Sequence, residues 1–282
     1  MLAYQELMHL EREFRCSWNE RDVMIYALGL GLPSDPLDER QLALVYEKNL
    51  AVLPTFVSSL VLGNTAIAFA KLDYARVLHG EQSVTVHKPI PTRGAAHVCS
   101  KFLGVWDKGL GKGAVLTDIS HLYLEGDDEP FASVLNTAFG RAEGGFGGPI
   151  EGQPPAPHPI PAGCHDRSLI LPTSRQQALL YRLSGDSNPL HVDPDAARAA
   201  GFREPILHGL CTFGICQRAI LAEYCDFASD SLKRIAVRFA GVVYPGETIR
   251  VDMWREGSVI SFEAFAEERQ EKVISNGMAV LR

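Results

Sequence analysis

The sequence lacks three features that would each point to a particular class of protein. It has no C-x-x-C pair, no long run of lysine or arginine, and no uninterrupted apolar segment of the ~18 residues that a membrane span needs. The formal net charge is −7, which argues against nucleic acid or an anionic membrane as the main partner. Small molecules and other proteins remain as partners.

The cysteines and the two ends of the chain predict a cytosolic location. Six cysteines are scattered in a way typical of reduced thiols, with neither a disulfide framework nor a zinc site expected. They are Cys16, Cys99, Cys164, Cys211, Cys216 and Cys225. The stretch "MLAYQELMHLEREF" carries charges where a signal peptide would be apolar, and "MAVLR" is not a peroxisomal SKL-type address.

A stretch rich in glycine and proline divides the chain. With 46% apolar and 22% charged residues over 282 positions, the chain can bury a sizeable core. The segment "GGFGGPIEGQPPAPHPIPAGC" can hold neither a helix nor a central strand. We therefore predict an N-terminal domain over residues 1–148, a linker over 149–165 and a C-terminal domain over 166–282.

Weak internal echoes indicate that the two halves are duplicates. Tyr26 in "MIYALGLGLPSDP" aligns with Tyr181 in "LLYRLSGDSNPLHVDP", 155 residues later. "VLPTF" at Val52 aligns with "ILHGL" at Ile206 at nearly the same spacing, and "HKPIPTRG" falls near "GVVYPGET". A duplicated fold is one explanation. Chance similarity between short apolar segments is the other.

The order of elements in the second half predicts a sheet wrapped around a helix. "QQALLYRL" and "PDAARAAG" are typical of short helices, and residues 207–225 are apolar on nearly every side, as in an enclosed helix. "RIAVRFAGVVYPGETIRVDMW", "SVISFEAFAEE" and "KVISNGMAVL" then predict an antiparallel meander. The first half ends in four strand-like segments as well, so the two sheets could pair side by side.

The turn "DSNPLH" has the composition of a site for acid–base chemistry. Pro189 fixes its own backbone and favours an extended Asn188, so the turn can hold Asp186 and His191 on one side. Such a pair suits the addition of water across an activated double bond. In "PILHGL", Gly209 begins the enclosed helix, where its N–H and the helix dipole could stabilise a developing negative charge.

The residues alone leave other interpretations open. Asp186 could only cap the turn, as Asp often does, and His191 could be a buried histidine with satisfied hydrogen bonds. A metal ion held by His191, Asp193 and His208 is a third reading, although neither an H-x-x-x-H motif nor a Cys/His cluster supports it.

The segments "YRLSGDSNPLHVDPDAARAAGF" and "PILHGLCTFG" resemble the signature of the MaoC-like hydratases, specifically the R-specific 2-enoyl-CoA hydratase 2 group. "RDVMIYALGLG", "VYEKNLAVLPTF", "VLHGEQSVTVHKPIPTRG" and "NTAFGRAEGGFGG" extend the resemblance over nearly the whole chain. The resemblance implies an α+β double hot-dog fold, in which each of two antiparallel sheets wraps a long helix. It also implies a homodimer.

The resemblance assigns roles to particular residues. Asp186 and His191 would hold and activate water, Asn188 would help to position it, and the backbone N–H of Gly209 would bind the thioester oxygen. Contacts to the substrate or its coenzyme A moiety are implied for His79, Gly80, Lys108, Ser187, Pro189, Leu190 and Phe239. No metal or other cofactor is implied, since coenzyme A is part of the substrate.

The first half departs from this pattern. Gly31 stands where Asp186 lies in the second half, and Pro54 stands where His208 lies. We therefore expect the N-terminal half to accommodate the acyl chain and coenzyme A without catalysing a reaction.

The implied reaction is the reversible syn hydration of trans-2-enoyl-CoA to (3R)-3-hydroxyacyl-CoA in fatty acid metabolism. A dehydratase for an acyl-carrier-protein thioester, or for a short or branched acyl-CoA, is an alternative. A thioesterase is less compatible, because "LHGLCTFGICQR" has no carboxylate near its start. A non-catalytic acyl-CoA-binding protein would be expected to have a broken Asp/His pair.

Overall fold

The computed structural model describes residues 1–151 and 158–282, and its strands form one antiparallel sheet of ten. The strands are β1 Glu11–Trp18, β2 Val77–Val86, β3 Gly94–Asp107, β4 Ala114–Leu124, β5 Ala132–Gly140, β6 Arg167–Pro172, β7 Leu232–Phe239, β8 Thr248–Glu256, β9 Val259–Ala266 and β10 Glu271–Leu281. Their order is β1-β3-β4-β5-β2-β7-β10-β9-β8-β6.

Seven α-helices are found among the described residues. They are α1 Tyr4–Met8, α2 Glu20–Gly29, α3 Glu39–Leu42, α4 Val57–Val61, α5 Gln177–Tyr181, α6 Pro194–Ala199 and α7 Gly209–Tyr224. None of these helices is both long and apolar enough to traverse a lipid bilayer.

The halves join through a single strand pair at the middle of the sheet. Strand β2 of the first half runs antiparallel to β7 of the second, in a register from Glu81 opposite Arg238 to Thr85 opposite Arg234. Arg238 also donates through Nη2 to Glu81 Oε1 at 2.7 Å. The predicted double hot-dog, with its two sheets side by side, is confirmed.

Helix α7 is the central helix of the second half, as predicted. Its buried residues run without interruption from Leu210 to Leu221, which explains why its sequence is apolar on nearly every side. A Cβ atom at Gly214 would lie 2.5 Å from Leu30 Cδ2, so this glycine allows the first half to approach the helix closely.

The first half has no helix of comparable length, which differs from the expectation of two long central helices. The turn Pro54–Phe56 leads into α4, which has only five residues. Leu62 leaves the helical conformation with ψ of 131°, and Gly63 follows with φ of +74°. The sequence "LGNT" therefore ends the helix early, because a left-handed glycine terminates helices.

The aligned tyrosines of the two halves meet in the core. The rings of Tyr26 and Tyr181 have centroids 5.8 Å apart. The Tyr26 hydroxyl donates to Thr55 Oγ1 at 2.8 Å, and the Thr55 N–H donates to Gln217 Oε1 at 2.8 Å. Residues of both halves thus share one buried polar network. The assigned domain boundaries stay a prediction, and residues 152–157 of the expected linker lie outside the described residues.

Candidate active site

The turn after α5 is held rigidly by its own side chains. Gly185 adopts φ of +109° and directs the chain toward Asp186. Asp186 Oδ1 accepts from the Asn188 N–H at 3.2 Å, and Asn188 Oδ1 accepts from the Leu190 N–H at 3.1 Å. The oxygen of Asn188 therefore caps the short turn Pro189–His191. Asp186 does make an Asx-type contact, but its carboxylate also faces the histidines described next.

His191 is fixed in one tautomer. Its Nδ1 lies 2.9 Å from the carbonyl oxygen of Ile206, and a carbonyl can only accept, so Nδ1 carries the proton. Nε2 is then left as an acceptor. Burial lowers the pKa of His191, while the Ile206 carbonyl and the Asp186 carboxylate act in the opposite direction. The ring is therefore neutral near pH 7.

His208 lies beside His191, and the sequence suggested it only as a possible metal ligand. The two rings are stacked, with centroids 3.7 Å apart. His208 is only 1% exposed, and neither of its ring nitrogens has a hydrogen-bond partner within residues 1–151 and 158–282. Burial and the neighbouring His191 lower the pKa of His208 to about 3, although the Asp186 backbone, which approaches the ring without reaching hydrogen-bond geometry, opposes this.

Asp186, His191 and His208 form a compact group. One nitrogen or oxygen atom from each lies within 4.8 Å of the other two. Asp193, which the metal interpretation placed in this group, is instead the N-cap of α6, where its Oδ1 accepts from the Asp195 N–H at 2.8 Å. The cluster therefore places His208, the residue directly before α7, next to the predicted acid–base pair of Asp186 and His191.

Gly209 is the first residue of α7, at one wall of this cluster. The N–H groups of Cys211 and Thr212 donate to the His208 carbonyl, so the helical ladder begins after Gly209. The N–H groups of a first helical turn have no intrahelical partner, and the helix dipole favours negative charge there. A Cβ atom on Gly209 would lie 3.2 Å from Phe239 Cε1, which places Phe239 against the helix start.

The first half supplies the facing wall. The ring of His79 packs on Phe239 with centroids 4.6 Å apart, and its Nε2 lies 2.9 Å from Gln82 Oε1. Desolvation lowers the pKa of His79, while Gln82, the Glu81 backbone and, least, the Asp186 carboxylate act in the opposite direction. Gly80 lies at a bulge in β2, and a Cβ atom there would be 3.1 Å from the Thr137 carbonyl oxygen.

The other predicted contact residues are not all at the cluster. Ser187 and Pro189 lie on the exposed side of the turn, and Leu190 is half-buried beneath it. Lys108 follows β3, which β4 and β5 separate from β2, and its N–H donates to the Gly113 carbonyl at 3.1 Å. No hydrogen bond or ion pair among the described residues joins Lys108 to Asp186, so a role in binding coenzyme A stays a prediction.

The equivalent place in the first half has different chemistry. Gly31 has φ of +79°, and a Cβ atom there would lie 3.0 Å from Arg218 Nη1. Arg218 donates to the Leu30 carbonyl at 3.1 Å, and burial lowers its pKa to about 10. Pro54 begins the short turn before α4. A buried guanidinium therefore stands where a duplicated acid–base pair would be.

Two family comparisons together span most of the chain. Residues 162–277 match the MaoC like domain, and residues 16–142 match the MFE-2 hydratase 2 N-terminal domain. The junction between these matches falls in the segment rich in glycine and proline.

Relatives of similar length also match. The chain is 37% identical to the enoyl-CoA hydratase ChsH3 of Mycobacterium tuberculosis, over 94% of this chain and 93% of the relative. It is 37% identical to the peroxisomal enoyl-CoA hydratase 2 of Arabidopsis thaliana, over 95% and 92% respectively. A solved MaoC-like dehydratase of Phytophthora capsici is 30% identical, with a TM-score of 0.88 over 100% of this chain and 98% of that one.

Proposed function

The chain belongs to the MaoC-like enoyl-CoA hydratase 2 family, and from this membership we propose that it is an R-specific enoyl-CoA hydratase. As a hydro-lyase it adds water reversibly to trans-2-enoyl-CoA and forms (3R)-3-hydroxyacyl-CoA, a step of fatty acid β-oxidation. The observation that carries the proposal is the cluster of Asp186, His191 and His208 at the start of α7.

The cluster has the dimensions to hold one water molecule. Polar atoms of the three side chains lie within 4.8 Å of one another, and if all three separations had this value, the point equidistant from the atoms would be about 2.8 Å from each, a normal hydrogen-bond length. The Asp186 carboxylate and His191 Nε2 are both acceptors, so a water at this point donates one proton to each. Its lone pair is then left to attack carbon.

The reaction follows from this arrangement. The water oxygen bonds to C3 of the enoyl thioester, and the C2–C3 π electrons move to give an enolate on the thioester oxygen. The Gly209 N–H and the positive end of α7 stabilise that charge. The proton released by the water passes to the Asp186/His191 pair, and the pair returns a proton to C2. Water is consumed, and the net addition is H to C2 and OH to C3.

His208 serves as a positioning residue for the water. Its lowered pKa keeps the imidazole neutral, so one nitrogen can donate while the other accepts. Both nitrogens are buried without a partner among the described residues, and a buried polar group is costly unless it is paired. A water held between Asp186 and His191 would satisfy one of them. Asn188, whose oxygen caps the turn, supports the water through Asp186.

The remaining predicted residues bind the substrate. His79, Gly80 and Phe239 form the wall opposite Gly209, while Ser187, Pro189 and Leu190 shape the entrance along the turn. Lys108 would contact the coenzyme A moiety from farther along the sheet. The N-terminal half would accommodate the acyl chain, since its shortened central helix leaves α7 as the one long helix among the described residues.

The reaction as proposed uses no metal or redox cofactor, and the enzyme would act in the cytosol as a homodimer. Activity that survives dialysis against a chelator would support a reaction without a metal. A particle mass of two chains in solution would support the homodimer. Several relatives are named as peroxisomal proteins, so a fluorescent fusion would test the location.

The decisive experiment follows the loss of enoyl-thioester absorbance when the purified protein meets trans-2-enoyl-CoAs from four carbons upward. The product is then offered to R-specific and S-specific 3-hydroxyacyl-CoA dehydrogenases. Oxidation by the R-specific enzyme alone supports the proposal. Absence of hydration at every length, with turnover of an acyl-carrier-protein thioester, would instead favour the dehydratase alternative, which the similarity to the Phytophthora protein also suggests.

A further inference from the structure

Three side chains of metal-binding types lie together on the outer face of the sheet, away from Asp186. Glu13 on β1 is the cross-strand partner of Cys99 on β3, and His97 precedes Cys99 by two residues on the same face. Glu13 Oε2 is 3.4 Å from His97 Nε2, and Cys99 Sγ is 3.9 Å from His97 Nδ1. One atom from each residue lies within 4.8 Å of the other two.

The ligand atoms are farther apart than in an occupied tetrahedral zinc site. Zinc bonds of about 2.0–2.3 Å to nitrogen, oxygen and sulfur place neighbouring ligand atoms roughly 3.3–3.6 Å apart, whereas one atom from each of the three residues lies within 4.8 Å of the other two. Glu13 and Cys99 contact different nitrogens of the His97 ring, so rotation of the side-chain torsions has to bring both to the same nitrogen. Because the pairing of β1 with β3 already holds the Cα atoms of the three residues in place, the backbone does not have to become ordered when the ion binds.

The site is open to solvent and faces an acidic wall. The side chains of His97 and Glu13 are 44% and 70% exposed. His97 and Cys99 line a surface cleft of about 500 Å³. Acidic residues that line the same cleft would raise the local concentration of cations, although Asp127 is already paired with Lys88. They are Glu125, Asp127 and Asp128.

The local charges also favour a cation at the thiol. Glu11 and Glu13 on β1 bring negative charge to this part of the sheet, while Lys101, the cross-strand partner of Glu11, brings a positive charge. Arg15 lies opposite His97 and adds a second opposing charge. A divalent ion would displace the thiol proton and neutralise the repulsion between the thiolate and the two carboxylates.

We propose that Glu13, His97 and Cys99 bind a divalent cation of the zinc class, with water completing the coordination. The ion would join β1, the edge strand of the sheet, to β3. The proposal is independent of the hydratase reaction, because these residues lie on the opposite face of the sheet.

The test is a titration of the reduced, metal-stripped full chain with Co²⁺, in which a thiolate ligand gives a sulfur-to-cobalt charge-transfer absorption. We expect this band in the wild-type protein and in the control Cys164→Ser, whose exposed thiol lies elsewhere. We expect its loss in Cys99→Ser and an affinity weakened roughly tenfold or more in His97→Gln. His191→Gln should keep the band, since the Asp186 cluster has no sulfur.

Thermal unfolding gives a second measurement. Zn²⁺ should raise the unfolding midpoint of the wild type and of Cys164→Ser but not that of Cys99→Ser, because a ligand of the native state stabilises it by mass action. Should Cys99→Ser fail to fold by circular dichroism, the exposed Glu13→Gln provides the same comparison. Absence of the band in the wild type, or its persistence in Cys99→Ser, would overturn the proposal.

Discussion

The imidazole of His208 stacks on that of His191, with 3.7 Å between the ring centroids and 27° between the ring planes. Two buried imidazoles this close cannot both be protonated without strong repulsion. Burial also lowers the pKa of each ring, so the pair is neutral near pH 7 and the lone pair of His191 Nε2 is preserved as a proton acceptor.

Replacing His208 by phenylalanine should separate its packing from its hydrogen bonding. His208→Phe keeps an aromatic ring against His191 but removes both nitrogens, so we expect kcat to fall roughly 10²-fold with little change in KM. Steady-state kinetics measure this split. The control is His165→Phe, at an exposed ring that packs against Trp254. An unchanged kcat in His208→Phe would remove His208 from the water site.

Asp186→Asn and His191→Gln should each fold and lose roughly 10²–10⁴ of the hydration rate. The double variant should be little worse than either single one, because the two groups share one proton and act as a unit. Circular dichroism checks the fold. Near-normal turnover by either single variant would show that its residue does not handle the proton.

Gly209→Pro tests the backbone donor directly. Proline is tolerated at the first helical position, and His208 already has the extended conformation that a residue before proline prefers, with φ of −60° and ψ of 136°. We expect kcat/KM to fall roughly 10²–10³-fold from loss of one N–H. Gly209→Ala is the matched control, since it places the same Cβ near Phe239 and keeps the N–H. Equal losses in both variants would assign the effect to crowding.

Stability should decline as the pH falls below about 6.5, the ordinary pKa of histidine. Burial depresses the pKa of both His191 and His208 in the folded protein, so the unfolded chain binds more protons in this range and is favoured. Each histidine contributes a slope of up to about 1.4 kcal/mol per pH unit. Urea unfolding between pH 7.5 and pH 4.5 should show a shallower slope for His208→Phe. Equal slopes would mean that His208 is not desolvated in the folded state.

The second half of the fold could be read from the sequence because its patterns are local. The strands β7 to β10 alternate or run apolar, and α7 is apolar on all sides, as expected of an enclosed helix. Strand β1 was not predicted, because "EREFRCSW" is rich in charge. Glu11, Glu13 and Arg15 point to solvent at the edge of the sheet, while Arg12 alternates onto the other face and lies over the Phe69 ring.

The site was predicted less completely, because part of it depends on contacts distant in sequence. Asp186 and His191 share one turn. His208 comes later in the sequence, directly before α7, and meets them only in the folded protein. The one sequence feature that pointed to a role for His208 was its position directly before Gly209, the first helical residue, in "PILHGL". The duplication predicted a long central helix in each half, which is wrong for the first half, because Gly63 and Asn64 end its helix after a few residues.

Through the pairing of β2 with β7, each half covers an edge strand of the other. Separated between β5 and β6, each half would present a bare central strand to solvent, and such edges recruit other chains into aggregates. The C-terminal half has Asp186, His191 and Gly209, yet it would lack both a protected edge and the His79 wall. The first half thus covers the edge strand β7 of the second half and contributes His79 next to Phe239.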